Sequence, residues 1–366
     1  MTPLISRRAL SLLASVALGV TAVAGCGSSS SSSTTSSSAS ASTTATSSSS
    51  GKKAIPHEVI GIDSNFLASP ISEQNEAGVL AACKAVGWTC KYEDGQGSPQ
   101  QQLANANALV TEGVNAIITD SIQANTIEPA LIRAKAAHIP VIAMGGDVPA
   151  SSLFAAKYTE DETDVGAAIA RVLTETVHHA DIGEITNSLQ SGVQRHSGLK
   201  SVLASPAGNG GKIVASFEPD LANLVPSTQQ GLTGMLTAHP DINAIYSVFD
   251  TFVQPALPVL KSHASVKLFA VYLSPTTYAA LKSNTALAGI ANVDLPLTGI
   301  VAVDQLVNHF ASGAAIDPNA MQQHPLSYAS ITKANLPASA TVLNSPAKLL
   351  PPFLSEWSAK YQLPAS

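Results

Sequence analysis

Cysteine is almost absent from this chain of 366 residues, which has three. So few cannot staple a disulfide-dense scaffold or build a multi-cysteine metal centre. Charge is sparse as well, at 12% of residues, with 25 acidic against 19 basic side chains. No stretch gathers lysine or arginine into a patch, so nucleic-acid binding is disfavoured. Long apolar runs are also missing: the longest, Ala9 to Val20, is too short to span a bilayer comfortably. Beyond it nothing approaches a membrane-crossing length.

What is present begins with an export address. Arg7 and Arg8 open it, Ala9 to Val20 is its apolar core, and Val23-Ala24-Gly25-Cys26 closes it with small residues before a cysteine. The closing tetrapeptide resembles the bacterial lipoprotein signal, which implies removal of residues 1–25 and lipidation of Cys26. Ser6-Arg7-Arg8-Ala9-Leu10 also resembles a twin-arginine signal, without that pattern's usual Phe and Lys. An ordinary secretory peptide with an incidental Cys26 is the alternative. Residues 26–54 are dominated by Ser, Thr, Ala and Gly. Such a segment buries too little apolar surface to offset its chain entropy and is expected to act as a flexible tether. The reading is thus of a body held on a leash at the outer face of a membrane.

The body is long enough for two ordinary domains. In the stretch from Gly113 to Asp147, an apolar run at Asn115–Thr119, a helix over Glu128–Ala137 and a second run at Pro140–Met144 make a right-handed parallel βαβ unit. Ligands in such sheets bind just past the carboxyl ends of strands, here Asp120-Ser121 and Gly145-Gly146-Asp147. Upstream, Val59–Asp63 and Thr89–Glu93 read as strands, with helices over Ser72–Val86 and from Pro99 to Glu112. After a short strand near Phe154–Tyr158 the pattern restarts. It gives helices at 161–176, 194–204, 227–238 and 253–263, and strands at 183–186, 212–217, 244–248 and 267–272. A strand at 287–293, a helix at 296–310 and a strand at 327–331 trail behind. They have no obvious place in a second sheet that is already complete, so a return to the first lobe and back would make three crossings. The expected fold is α/β, with two Rossmann-like lobes carrying parallel sheets and a three-segment hinge. Lobe 1 takes 55–158 plus 293–325, and lobe 2 takes 159–292 plus 326–366.

Cys83 and Cys90 flank a helix-to-strand turn and are close enough in sequence to bridge in an exported protein. Two small buried hydrophobes are the alternative.

Several stretches together carry a family resemblance: Asp94-Gly95-Gln96-Gly97-Ser98-Pro99, Gly113-Val114-Asn115-Ala116-Ile117-Ile118, Ala134 to Ile142, and Thr237-Ala238-His239-Pro240-Asp241-Ile242. Each is unspecific alone, but their order and spacing from about Val59 to Ile331 resemble the type I periplasmic solute-binding proteins, the group that includes the ribose-binding protein. The resemblance implies a ligand in an interlobe cleft, hinge closure, no catalysis, no cofactor, and delivery to the permease of an ABC transporter. It also implies a carbohydrate as the default cargo.

The binding pattern of the sugar-binding members is only partly retained. Their Asn-Pro-aromatic-aromatic loop is replaced by Ser69-Pro70-Ile71-Ser72, and their Asp-Arg pair falls on Gly145-Gly146, with Asp147 one step on. Their second-lobe arginine falls on Arg195. Their Asn before Asp falls on Phe249, with Asp250 kept; their next Asp falls on Tyr272 and their hinge Gln on Asn292. Arg195 carries most weight, because the chain after the signal has three arginines and Arg133 and Arg171 sit on outward helix faces. An ion pair within lobe 2 is its structural alternative. Phe66, Phe249 and Tyr272 are candidates to stack on a flat ligand face. Asn65, Gln96, Asp120, Asp147 and Asn292 complete the candidate contacts as polar loop or hinge residues.

His178-His179 does not make a metal site, since neighbours on a helix diverge by about a hundred degrees. Gly208-Asn209-Gly210-Gly211-Lys212 precedes a strand and lacks the following Ser or Thr of a phosphate loop. Nothing asks for more than a monomer. A sensor that signals to a membrane receptor, or an importer component for a non-sugar solute, are the competing functions.

Overall fold

Residues 51–146, 148–283, 285–339 and 345–364 are described by the computed structural model, and all fall within one unit, Ser49–Ser366. Arg7, Arg8, Cys26 and the tether as far as Ser50 lie outside the described residues, as does Asp147.

After β1 (Lys53–Ala54), the first half runs β2 (Val59–Ser64), α1 (Pro70–Ala85), β3 (Thr89–Asp94), α2 (Pro99–Glu112), β4 (Ala116–Asp120), α3 (Glu128–Ala136), β5 (Val141–Met144) and β6 (Ala156–Tyr158). These strands form a parallel sheet in the order β3-β2-β4-β5-β6. Strand pleating explains why their runs are apolar without alternation. Ile118 and Ile142 face one way, into a core with Val79 of α1, whereas Ile117 and Val141 face the other, against Leu109 of α2 and Leu131 of α3. Helix α2 begins with Ser98 capping the Gln101 amide and Pro99 in its first turn, and stops at Gly113 in the left-handed region.

The second half runs α4 (Glu162–Thr176), β7 (Asp181–Ile185), α5 (Gln190–Leu203), β8 (Lys212–Phe217), α6 (Leu224–Ala238), β9 (Ala244–Ser247), α7 (Val253–Leu260), β10 (Lys267–Val271), α8 (Pro275–Lys282) and β11 (Leu287–Val293). It continues through α9 (Pro296–Ser312), α10 (Ala320–Gln323) and β12 (Tyr328–Thr332). The second sheet has the order β12-β11-β10-β9-β7-β8, parallel except for β12, which pairs antiparallel with β11.

The chain changes lobe between β6 and α4, again between β11 and α9, and again between α10 and β12. Helix α9 belongs to the first lobe, where Ile300 and Val303 join Ile60 and Val79. Strand β12 enters the second sheet from that side, which is why it runs against β11.

Three differences from the sequence expectation have physical reasons. Helix α5 starts at Gln190 rather than 194, continuing directly from Leu189. Helix α8 was not expected; Ser274 and Thr277 cap each other's backbone around Pro275, a capping box that sets the start of a short helix. The tail does not follow residues 326–339 in the second lobe. After α11 (Pro346–Leu349), α12 (Pro351–Lys360) packs Phe353 and Trp357 into the first-lobe core, and β13 (Tyr361–Gln362) pairs in parallel with β1. Trp357 is fully buried and its Nε1 donates to Asp304 Oδ1 at 2.7 Å, so one large apolar side chain with a satisfied polar atom fixes the tail there. In the same lobe Cys83 of α1 and Cys90 of β3 are joined as a disulfide, with Cα atoms 6.5 Å apart.

Candidate functional site

The carboxyl ends of the two sheets meet at the first crossing, Tyr158-Thr159-Glu160-Asp161-Glu162. Asp161 caps α4, accepting from the amides of Thr163 and Asp164 at 2.8 and 3.3 Å. That leaves its neighbours Glu160 and Glu162 to turn inward, where they are 5% and 6% exposed. Helix α5 lies directly on α4, because Gly166 and Gly198 have no Cβ and one added at either would run into the facing backbone. This close approach delivers Arg195 to Glu162.

Arg195 is 2% exposed. Its Nε donates to Glu162 Oε2 at 2.7 Å, one terminal nitrogen donates to the Val248 carbonyl at 2.6 Å, and the other donates to the Tyr272 hydroxyl at 2.6 Å. The Tyr272 hydroxyl in turn donates to Glu160 Oε1 at 2.9 Å. The guanidinium also stands over the rings of Phe249 and Tyr272, 4.8 and 5.2 Å from their centres. Burial works against its charge, but Tyr272, Glu162 and Glu160 more than offset this and hold its pKa above the ordinary value. Asp250 lies within reach of the same cation; burial nevertheless pushes its pKa up to about 6. Tyr272 takes a left-handed backbone (φ 60°), uncommon outside glycine, pinned by its amide on Ala291 O and by Thr277 Oγ1 on its carbonyl. Asn292 is buried, and its side-chain oxygen accepts from the Leu273 amide at 3.2 Å, fixing the end of β10.

On the first lobe Asp120 is fully buried at the end of β4; Asn75 and Ser121 donate to its Oδ1 at 2.9 and 3.1 Å. Burial pushes its pKa up to about 6, hydrogen bonding from Ser72, Asn75 and Ser121 pulling back and the Glu160 charge adding to the rise. The end of β5 explains its glycines. Gly145 has φ 78°, and a Cβ there would collide with Asp120 Oδ1 and Ser121 Oγ; a Cβ at Gly146 would come within 2.9 Å of Glu162 Oε1 and 3.3 Å of Glu160 Oε1. Asn65 and Gln96 lie on adjoining loops that meet the end of β4, the Asn65 amide donating to the Asp120 carbonyl at 3.0 Å. Asn65 Oδ1 accepts from Gln102 at 2.7 Å, Gly97 donates to its carbonyl at 2.7 Å, and Gln96 donates its amide to Asp94. Phe66 beside them is 48% exposed.

The structure therefore brings Arg195, Phe249, Asp250 and Tyr272 into one cluster and ties them through Glu160 toward Asp120. It holds Asn65 on the backbone of Asp120, with Phe66 and Gln96 in the same adjoining loops, and uses Asn292 on backbone. Glu160 and Glu162 were not anticipated, because an acidic run at a helix start reads as capping. Both line a cavity of about 300 Å³, shared by Lys157 at the first lobe's edge strand and by Gln190 and Gln194 of α5. Among the described residues no group of three His, Cys, Asp or Glu is placed to hold a metal ion.

The model of the periplasmic binding protein domain matches residues 60–314. The chain belongs to this family of periplasmic binding proteins. It is of the type I, ribose-binding-protein-like kind, and such proteins are solute-binding transport components rather than enzymes. The ribose import binding protein of Salmonella typhimurium is 23% identical over 266 residues, covering 69% of this chain and 86% of that protein. Among solved structures, the periplasmic ribose ABC transporter protein of Conexibacter woesei superposes with a TM-score of 0.65 at 14% identity, covering 78% of this chain and 95% of that one. The Caulobacter myo-inositol binding protein, solved with myo-inositol, gives 0.62 at 20% identity, covering 78% and 96%. An ABC transporter solute-binding protein of Mycobacterium smegmatis, solved with glycerol, gives 0.61 at 20% identity, covering 78% and 99%.

Proposed function

We propose that this periplasmic binding protein captures a small sugar or polyol between its lobes and hands it to the permease of an ABC importer. The observation that carries the reading is the single polar network at the first crossing, in which Glu160 and Glu162 meet the end of β5 on one side and Tyr272 and Arg195 on the other. A solute held there contacts both lobes and favours the form in which they close, by as much as its contacts differ between open and closed states. The polyol- and sugar-binding neighbours support this choice of cargo. Asn65, Phe66, Gln96, Asp120, Phe249, Asp250, Tyr272 and Asn292 are assigned to the cleft walls, with Arg195 organising the second-lobe wall from within, and Asp147 is kept as a candidate contact on its sequence position alone. Cys26 carries the lipid anchor, and the Ser/Thr-rich segment after it is the tether that keeps a monomeric body near its permease outside the cell membrane; it ends before the expected residue 54, because Lys53 and Ala54 pair with β13 as part of the body.

A thermal-shift screen of the full chain against sugars, polyols, amino acids and small aromatic acids tests the reading, since a solute that binds the native state raises the melting temperature by mass action. Sugars or polyols should supply the stabilising compounds. Stabilisation confined to amino acids or aromatic acids would remove the sugar-importer assignment.

A further inference from the structure

The acceptors at the meeting point of the lobes outnumber its donors. Asn75 and Ser121 occupy Oδ1 of Asp120 and the Ser72 hydroxyl stands beside the same carboxyl group, while its Oδ2 is buried and makes no hydrogen bond of its own among the described residues. Tyr272 occupies Oε1 of Glu160, whose Oε2 is likewise buried without a partner among the described residues. Neither carboxylate takes part in an ion pair among the described residues. The one buried guanidinium close by, Arg195, spends its bonds on Glu162, Val248 and Tyr272. Asp120 and Glu160 are also close enough for their charges to oppose each other, and both press on the two-glycine end of β5. Two like charges in a buried setting favour whatever brings a compensating cation.

We propose that Asp120 and Glu160, drawn together over Gly145 and Gly146, form a subsite for a positively charged nitrogen, so that the captured solute is a small polyhydroxylated molecule bearing a protonated amine. A hydroxyl would satisfy one lone pair and leave both charges uncompensated. An ammonium donates three hydrogens and supplies the missing charge, and charge-assisted bonds are the stronger kind. A carboxylated sugar would add a third negative group beside two others. The amine's polyol body has room next to Glu160 in the cavity of about 300 Å³, where the amide side chains of Gln190 and Gln194 both donate and accept. Lys157 reaches that cavity from an exposed position on the edge strand, where solvent screens it.

The proposal rests on the solute-capture reading and deepens it. Titration calorimetry of the full chain with matched sets tests it: glucosamine, glucose and glucuronate; galactosamine, galactose and galacturonate; and an aminated inositol against myo-inositol. The aminated member of a set should bind at least tenfold tighter than its neutral partner, and the acidic member should not bind. Asp120→Asn and Glu160→Gln, which keep the side-chain shape, should each cut that preference at least threefold without lowering the melting temperature. Neutral members binding as tightly as aminated ones would overturn the amine subsite while leaving solute capture standing. So would a preference that survives both substitutions. Should either variant fail to fold, the ranking in the parent chain decides. Silence from every member here and from the wider thermal-shift panel would instead sink solute capture itself, and the subsite with it.

Discussion

Replacing Arg195 with alanine distinguishes a structural guanidinium from one that waits for a ligand. In the structure the side chain is 2% exposed and its partner Glu162 is 7% exposed. Arg195→Ala removes the 2.7 Å pair to Glu162 and the two 2.6 Å donations to Val248 and Tyr272, leaving a buried carboxylate without its cation. Breaking a buried pair from one side costs about 3–5 kcal/mol, against about 0–1 kcal/mol for a surface pair. Lost stacking on Phe249 and Tyr272 moves the expected value toward the upper end. Urea unfolding of the full chain followed by circular dichroism should show an unfolding free energy lowered by that amount, read as a lower midpoint at unchanged m. The double variant Arg195→Met with Glu162→Gln should recover roughly half of the loss, because no charge is then stranded. A single variant within about 0.5 kcal/mol of the parent would mean that the guanidinium holds no stabilising buried pair, returning Arg195 to the role of a free ligand contact.

Three further outcomes follow from particular contacts. Trp357→Ala should cost about 3–5 kcal/mol in urea melts, since it empties a fully buried site that locks the tail into the first lobe; hydrogen exchange should also show the β1–β13 pairing loosened. Gly145→Ala should destabilise by roughly 1–3 kcal/mol and weaken solute binding, because its φ of 78° and its contact with Asp120 both resist a Cβ. Asp63 gives a pH dependence: burial raises its pKa from 3.8 to about 8, so the folded state holds a proton that the unfolded state releases. Its contribution is fully present below about pH 4 and is lost as pH rises toward 8, at up to about 1.4 kcal/mol per pH unit, and Asp63→Asn should flatten the slope of midpoint against pH.

Much of the fold was legible because local chemistry and tertiary packing agree in it. The apolar runs at Ile117–Thr119 and Val141–Met144, the proline and glycine that bound α2, and the restart of the pattern after Tyr158 each carry their own signal. Elements that depend on distant partners were harder to read. Trp357 in a proline-flanked tail gives no local sign of which lobe it fills, since its partners lie on α9 and are brought to it only by the fold. The site divides along the same line. Arg195 stood out because arginine is scarce, yet its partner Glu162 was hidden in an acidic run whose middle member, Asp161, really does cap a helix. Gly145 and Gly146 read as the loss of a binding pair. Their role in admitting Asp120 and Glu160 to the end of β5 is visible only when the first crossing is in place. Asn292 sits at the expected hinge position, but its side chain holds the Leu273 amide.

Closure of the two lobes on a solute can be measured by small-angle X-ray scattering of the full chain with and without the best binder from the thermal-shift panel. Binding should give a smaller radius of gyration and a more compact distance distribution for the body. Saturating binding that leaves the scattering curve unchanged would contradict closure on the solute.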